Sequence, residues 1–318
     1  MHVSITHVRY ACFFCVVQQP MLRHGKTGDW IGTFAGHKGA VWSAKLCCKA
    51  LLAATGAGDF TAAVWNAVTG EMRHSFVHRH IVKSVDFSPD RTRLATAGSE
   101  GLLRIFDINK PSSNPRSIGV AVPEDTSRVV INQTVWLDNT LVCTGSTDKN
   151  AAVWDTRSPR VVKRLVFDEA VMDIEHRLNS AVNMLTIAAG TKVSFFDPVK
   201  LELVKSWTMP VHFKREGGAS LSPDGKTFIV GGGRIGGSSQ GAMGAKKDAK
   251  AVGELDSDLI AYVFDYSTGK LLEKNKGHCG PVRCLRFHPE GTSFASGSED
   301  GTIRLWDAKP AVPAVAMS

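Results

Sequence analysis

The sequence predicts an all-β chain, a seven-bladed β-propeller with an incomplete first blade. Three observations predict it. An aromatic residue followed by Asp or Asn recurs as Trp65-Asn66, Phe106-Asp107, Trp154-Asp155, Phe196-Asp197, Phe264-Asp265 and Trp306-Asp307. The intervals of 41, 48, 42, 68 and 42 residues give a base period near 42 with two insertions. Finally, His, Ser/Thr and Asp stand at the same offsets before the first and last of these aromatics. One period before Trp65 lies Arg23, inside "PMLRHGKTGDW", which supplies a seventh strand ending.

The elements within the unit follow in order. After each Gly-His or its equivalent comes an inner strand: "VWSAKL" (41–46), "VKSVDF" (82–87) and "VRCLRF" (282–287). Their apolar residues step by three and then by two, which breaks strict alternation. A β-bulge at the second residue restores it and turns Trp42, Lys83 and Arg283 outward. "SPDR" (88–91), "SPDG" (222–225) and "HPEG" (288–291) supply hairpin turns into the second strand. A period of roughly 40–45 residues with these features marks the four-stranded blade of a WD40 propeller. Residues 1–318 are therefore read as one WD40 propeller. Residues 1–33 are expected to form a reduced first blade and a closure segment. In that reading "HVSITHVRY" (2–10), rich in Val, Ile and Thr, is an outer strand on the last blade. The C-terminal "AKPAVPAVAMS" contains two prolines and is the poorer strand.

The polar residues come next. Asp59, Thr55 and His37 precede Trp65 by 6, 10 and 28 positions, and Asp300, Ser296 and His278 precede Trp306 by the same offsets. The third unit keeps His78 and Thr96 but has Glu100 and Phe106, and the unit ending at Trp154 keeps Thr144 and Asp148 with Ser127 in the His position. These sets resemble a hydrolase triad. A nucleophile is used once per active site, however, whereas this set recurs once per blade beside a tryptophan. They are read as buried structural networks with no catalytic residue.

Other motifs carry less. Gly231-x-Gly233-x-x-Gly236 matches a dinucleotide fingerprint formally, but a polar, glycine-dense stretch follows where a helix is needed. Residues 232–257, in the over-long fifth interval, are expected to be a flexible inserted loop between the second and third strands of the sixth blade. Cys12 and Cys15 form a CxxC without a second pair, so no metal site is expected. Seven unevenly spaced cysteines suit a reducing compartment, and no apolar run reaches a membrane span. The net charge of +8 permits an acidic partner, but the basic residues are dispersed without an RNA-recognition motif. No cofactor is implied. Trp42, Lys83 and Arg283 are the expected partner-binding face.

A narrower resemblance lies in "PMLRHGKTGDWIGTFAGHKGAVW" (20–42), "DFTAAVWNAVTGE" (59–71), "HRHIVKSVDFSPD" (78–90) and "LLRIFDINKPSSNP" (102–115). These resemble the WD40 family of serine-threonine kinase receptor-associated proteins, also called unrip. The resemblance implies a non-catalytic scaffold, monomeric within a larger complex, cytoplasmic and nuclear. In animals the family joins the SMN complex, with Gemin partners, in spliceosomal snRNP assembly, so RNA is met indirectly. It also damps TGF-β receptor signalling. The insertion and "GHCGP" (277–281) are also similar to the i subunit of translation initiation factor 3, the alternative scaffold. An enzyme is the remaining reading, from a different class.

Overall fold

The computed structural model describes residues 2–4, 10–14, 19–118, 129–158, 160–177, 181–234 and 259–308. Among them the regular structure is β, without an α-helix. Strands β1 (His2–Ser4), β2 (Tyr10–Phe14), β3 (Met21–His24) and β4 (Trp30–Thr33) form a four-stranded sheet. The second sheet holds β5 (Val41–Leu46), β6 (Leu52–Ala57), β7 (Thr61–Asn66) and β8 (Met72–Val77). The third holds β9 (Val82–Phe87), β10 (Arg93–Gly98), β11 (Leu103–Asp107) and β12 (Arg116–Ile118). The fourth holds β13 (Ile131–Trp136), β14 (Leu141–Ser146), β15 (Asn150–Asp155) and β16 (Arg160–Val166).

A six-stranded sheet follows: β17 (Val171–His176), β18 (Leu185–Phe196), β19 (Leu203–Leu221), β20 (Thr227–Arg234), β21 (Ile260–Asp265) and β22 (Leu271–Lys276). It contains two repeat units, because its long strands change partner. In β18, Leu185–Ala189 pair with β17 and Lys192–Phe196 with β19, on either side of Gly190 at φ 59. The early part of β19 pairs with β18, and its last residues, Gly217–Leu221, pair with β20. The last sheet has three strands, β23 (Val282–Phe287), β24 (Ser293–Ser298) and β25 (Ile303–Asp307).

Neighbours in every sheet are antiparallel and consecutive in the chain, and short hairpin turns join most of them. The register repeats too. The residue in the aromatic slot pairs with the one seven positions later, as in Arg23↔Trp30, Trp65↔Met72, Trp154↔Val161, Phe196↔Leu203 and Phe264↔Leu271. Five inner strands carry a one-residue bulge at their second residue: Trp42, Lys83, Asn132, Met172 and Arg283.

Two expectations change. The first blade is not reduced: β1 pairs with β2, His2↔Phe14 to Ser4↔Cys12, and completes a four-stranded sheet. Residues 2–4 therefore lie at the inner end of the first sheet, next to β5 and β23, and are not an outer strand of the last sheet. Composition marks a strand but says nothing about its partner, which is a non-local choice. The insertion expected at 232–257 begins later, since Gly232, Gly233 and Arg234 end β20, and residues 235–258 lie outside the described residues. It does join β20 to β21, neighbours in the sheet.

The core lies between successive sheets. Ala54, Val64 and Phe76 of the second sheet pack with Val82, Val85, Phe87 and Leu94 of the third. Ile229 and Ala261 pack with Val282, Leu285 and Phe287 in the same way. The fit is tight: a Cβ at Gly56 would meet Val82 at 2.7 Å, at Gly145 Val171 at 2.5 Å, and at Gly231 Val282 at 2.7 Å. The glycine fingerprint is thus a packing feature at its first residue.

On the other face of the inner strands a polar chain links the sheets. The Ser84 hydroxyl donates to Gln133 Oε1 (2.6 Å), and Gln133 Nε2 donates to Asp173 Oδ1 (3.1 Å). Arg286 donates to both Asp173 oxygens, Nη1 to Oδ2 at 2.8 Å and Nη2 to Oδ1 at 2.6 Å. Both side chains are only 5% exposed. Gly218 makes room for them, since a Cβ there would lie 2.5 Å from Asp173 Oδ2. Burial works against the guanidinium charge, but Asp173 and Glu175 more than offset it and hold the Arg286 pKa above its ordinary value. Arg286→Met strands the buried Asp173 carboxylate, and Asp173→Leu leaves Arg286 only the longer carboxylate contact, to Glu175 (3.8 Å); each should cost about 3–5 kcal/mol. Urea unfolding should show this as a lower midpoint, partly recovered in the double variant. An unchanged midpoint for either single variant would deny the pair its role.

Candidate functional site

The recurring His sets are built where the loop before each inner strand meets the turn between the second and third strands. In the second sheet, His37 Nδ1 donates to Asp59 Oδ2 (2.9 Å), and the Thr55 hydroxyl donates to His37 Nε2 (2.6 Å). Trp65 Nε1 donates to the same Thr55 oxygen at 2.8 Å. Asp59 also takes the Lys38 amide (2.8 Å) and the Thr61 hydroxyl (2.6 Å). The last sheet repeats the pattern with His278 and Asp300 (3.1 Å), Ser296 and His278 (2.7 Å), and Trp306 and Ser296 (2.7 Å). Thr55 and Ser296 are fully buried, with the indole N–H on their oxygens. A hydroxyl so enclosed reaches no substrate.

The degenerate sets differ in informative ways. His78 keeps Thr96 (2.8 Å), but its Nδ1 donates to the Phe76 carbonyl (3.0 Å), because Glu100 turns to the Arg104 guanidinium (2.6 Å). Trp154 still donates to Thr144 (2.8 Å). Asp148 stands outside that pair and caps its own turn, taking the Ser146 hydroxyl and the Asn150 amide. Burial would raise the Asp59 carboxyl, yet donors from Thr61, Lys38 and His37 hold it below its ordinary value. Burial pushes His78 and His278 down from theirs, and Asp300 only partly offsets this at His278.

The bulge residues are brought to one rim, but unequally. Trp42 is exposed, and the Lys83 ammonium lies 5.5 Å from its ring centroid. Lys83 also reaches Asn132 (3.4 Å), whose amide donates to the Val171 carbonyl (3.0 Å) and approaches Met172 Sδ (3.5 Å). Four bulge residues of consecutive sheets thus touch in series. Arg283, expected to turn outward, instead has a side chain only 14% exposed and pairs with Glu299 in the turn after β24. Asn132 and Met172 were not singled out from the sequence, although "INQTVW" and "VMDIEH" place them in the same column. Among the described residues no group of three or more His, Cys, Asp or Glu could hold a metal ion.

Comparison with known proteins agrees with this geometry. The family model "WD domain, G-beta repeat" matches residues 28–66, 70–107 and 269–307. Serine-threonine kinase receptor-associated protein of Mus musculus is 41% identical over 292 residues, covering 92% of this chain and 73% of that protein. Its Dictyostelium discoideum counterpart is 38% identical over 294 residues, 92% and 88% of the two chains. Eukaryotic translation initiation factor 3 subunit I of Drosophila pseudoobscura pseudoobscura is 29% identical over 318 residues, 95% and 93%.

Two outcomes are expected of the histidines. His37→Ala and His278→Ala should each lower stability by about 1–3 kcal/mol, the cost of buried groups left unsatisfied. Thermal melts equal to wild type would dismiss the networks as stabilising. The pH dependence has a definite sign. A histidine depressed in the folded state binds its proton more readily when unfolded, near its ordinary pKa of about 6.5. Its stabilisation is therefore complete above that value and is lost as pH falls below it toward the folded pKa. Melting temperature should fall from pH 7 to pH 5, less steeply in the His78→Asn, His278→Asn double variant; identical slopes would clear both residues.

Proposed function

The chain belongs to the family of serine-threonine kinase receptor-associated proteins, and from that membership we propose that it is a non-catalytic WD40 scaffold within a multi-subunit complex. The observation that carries this reading is the likeness along nearly the whole chain to proteins of that name. The sealed hydroxyls of the His sets support it, because they leave the repeat without a nucleophile. The scaffold is a seven-bladed ring in this proposal, with the six-stranded sheet counted as two blades. Support for closure comes from β1 lying beside β5 and β23, and from Lys26 reaching Glu290 across the first and last sheets at 2.8 Å.

The complex proposed is the SMN-type assembly of spliceosomal snRNPs, with Gemin-type proteins as partners, RNA met through them, and a cytoplasmic and nuclear distribution. A signalling-adaptor role at receptors is its second proposed use. Trp42, Lys83 and Arg283 mark the docking face. A second reading, an initiation-factor subunit, is favoured by one observation: the alignment to subunit I spans more of that protein's length than the first likeness does.

Affinity capture of the tagged chain from its own cells, followed by mass spectrometry, tests both readings. Sm and Gemin proteins are expected; initiation-factor subunits would replace the first reading by the second, and neither set would overturn both. The W42A/K83A/R283A variant should lose the captured complex while melting at the wild-type temperature. Undiminished capture would move the docking face elsewhere.

A further inference from the structure

The rim between the second and third sheets presents more than its bulge residues. Trp42 is 38% exposed and Phe60 42%. Both stand by the same turn: a methyl group on Gly58, two residues before Phe60, would meet the Trp42 indole Nε1 at 3.5 Å. The Phe60 ring meets His80 edge to face, with centroids 5.7 Å apart. Lys83 lies over Trp42, and Arg79 beside His80 is exposed.

Phe60 is an odd choice on folding grounds. Its φ is 67°, at a turn position five residues before the aromatic slot, where the third and last sheets have Gly101 (72°) and Gly301 (80°) and the fourth has the unbranched Lys149 (68°). A bulky side chain rarely adopts that left-handed conformation, which glycine takes at no steric cost. Its ring is set outward and buys no core packing in return.

The charges around these rings are sorted by sign. The nearby carboxylates turn inward: Asp59 takes the Lys38 amide, the Thr61 amide and hydroxyl, and His37. Glu100 takes the Arg104 guanidinium and the Arg79 amide. The Lys83 ammonium lies over the Trp42 ring, and Arg79, next to His80 in the chain, is exposed. Two cations at one spot do not make the continuous basic track that a nucleic-acid backbone follows. They do complement a short acidic segment, and exposed Trp and Arg are types that anchor interfaces.

We propose that Trp42, Phe60, His80, Lys83 and Arg79 form a subsite for an acidic peptide segment bearing an aromatic anchor. The rings receive the anchor, and Lys83 and Arg79 receive the flanking carboxylates. This rests on the reading of the same rim as the docking face, and it adds the chemistry of what docks.

The test is calorimetric titration of the full chain with an acetylated, amidated peptide holding one phenylalanine between glutamates. Controls are the same peptide with alanine for phenylalanine, the same with lysine for glutamate, and oligouridylate. The first peptide should bind and the controls should not. Phe60→Gly and Lys83→Gln should each weaken binding by about tenfold or more. Phe60→Gly should also melt at or above the wild-type temperature, which separates lost contact from lost fold. No heat with the first peptide, affinity indifferent to Phe60→Gly, or tighter binding of oligouridylate would each overturn the subsite. If the rim triple variant loses its complex while the peptide is ignored, the docking face stands and the acidic subsite alone fails. If that variant keeps its complex, the docking face itself fails.

Discussion

One extra residue at the second position of an inner strand is the constraint on which the rest of this molecule depends. In β5, β9, β13, β17 and β23 two residues oppose one on the neighbouring strand. A strand side alternates with period two, so a single shift moves every later side chain to the opposite face. Without it, Ala44 and Leu46, or Leu285 and Phe287, would leave the apolar layer between sheets. With it, the residue at the bulge is turned to the rim, and the third and fifth residues point to the opposite face of the strand from the fourth and sixth. The rim of Trp42, Lys83, Asn132 and Met172 and the polar chain from Ser84 to Arg286 are two products of the same distortion.

The two kinds of polar network hold different things. Each His set is local, spanning about one hairpin, and ties a loop to a turn of its own sheet. Its loss in one sheet is therefore felt in that sheet. The fourth sheet does without a histidine and keeps the Trp154 to Thr144 bond. The chain through Asp173 is different, because Arg286 is 113 residues away in sequence and the carboxylate is shared with Gln133 and the Ala219 amide. A buried ion pair is weak support for stability by itself, since its desolvation is costly. Its effect here is on specificity: Gly218 leaves space for that pair, and a slipped register would strand a charge among apolar side chains.

What was legible in the sequence was what repeats. The period, the bulge column and the His, Ser/Thr and Asp offsets each occur several times, so chance matches cancel and the spacing stands out. The partner of "HVSITHVRY" was not legible, because strand propensity is local and pairing is not. Nor was the Asp173 to Arg286 pair. The signal existed: a charged residue at the third position of "VMDIEH" and one of opposite sign at the fifth of "VRCLRF". Only stacking all the inner strands in one column would have shown that these positions share a face. Phe60 was readable in the same manner, against Gly101 and Gly301.

These contrasts bear on where function resides in a repeat. Positions that recur, such as the Trp, the His and the glycines beneath the next sheet, answer to packing, and their variation tracks the loss of a hydrogen bond or a change of volume. A position where a bulky ring accepts a left-handed backbone and gains no burial needs another reason. Phe60, like Lys149 in the fourth sheet, departs from glycine and accepts a left-handed backbone, and it places an aromatic ring in solvent against His80. Leu201 has a similar φ of 56° at another turn, but its side chain is buried in the core, so packing accounts for it. The difference between the two residues is the side on which the side chain is spent, and it directs attention to the rim of the second sheet.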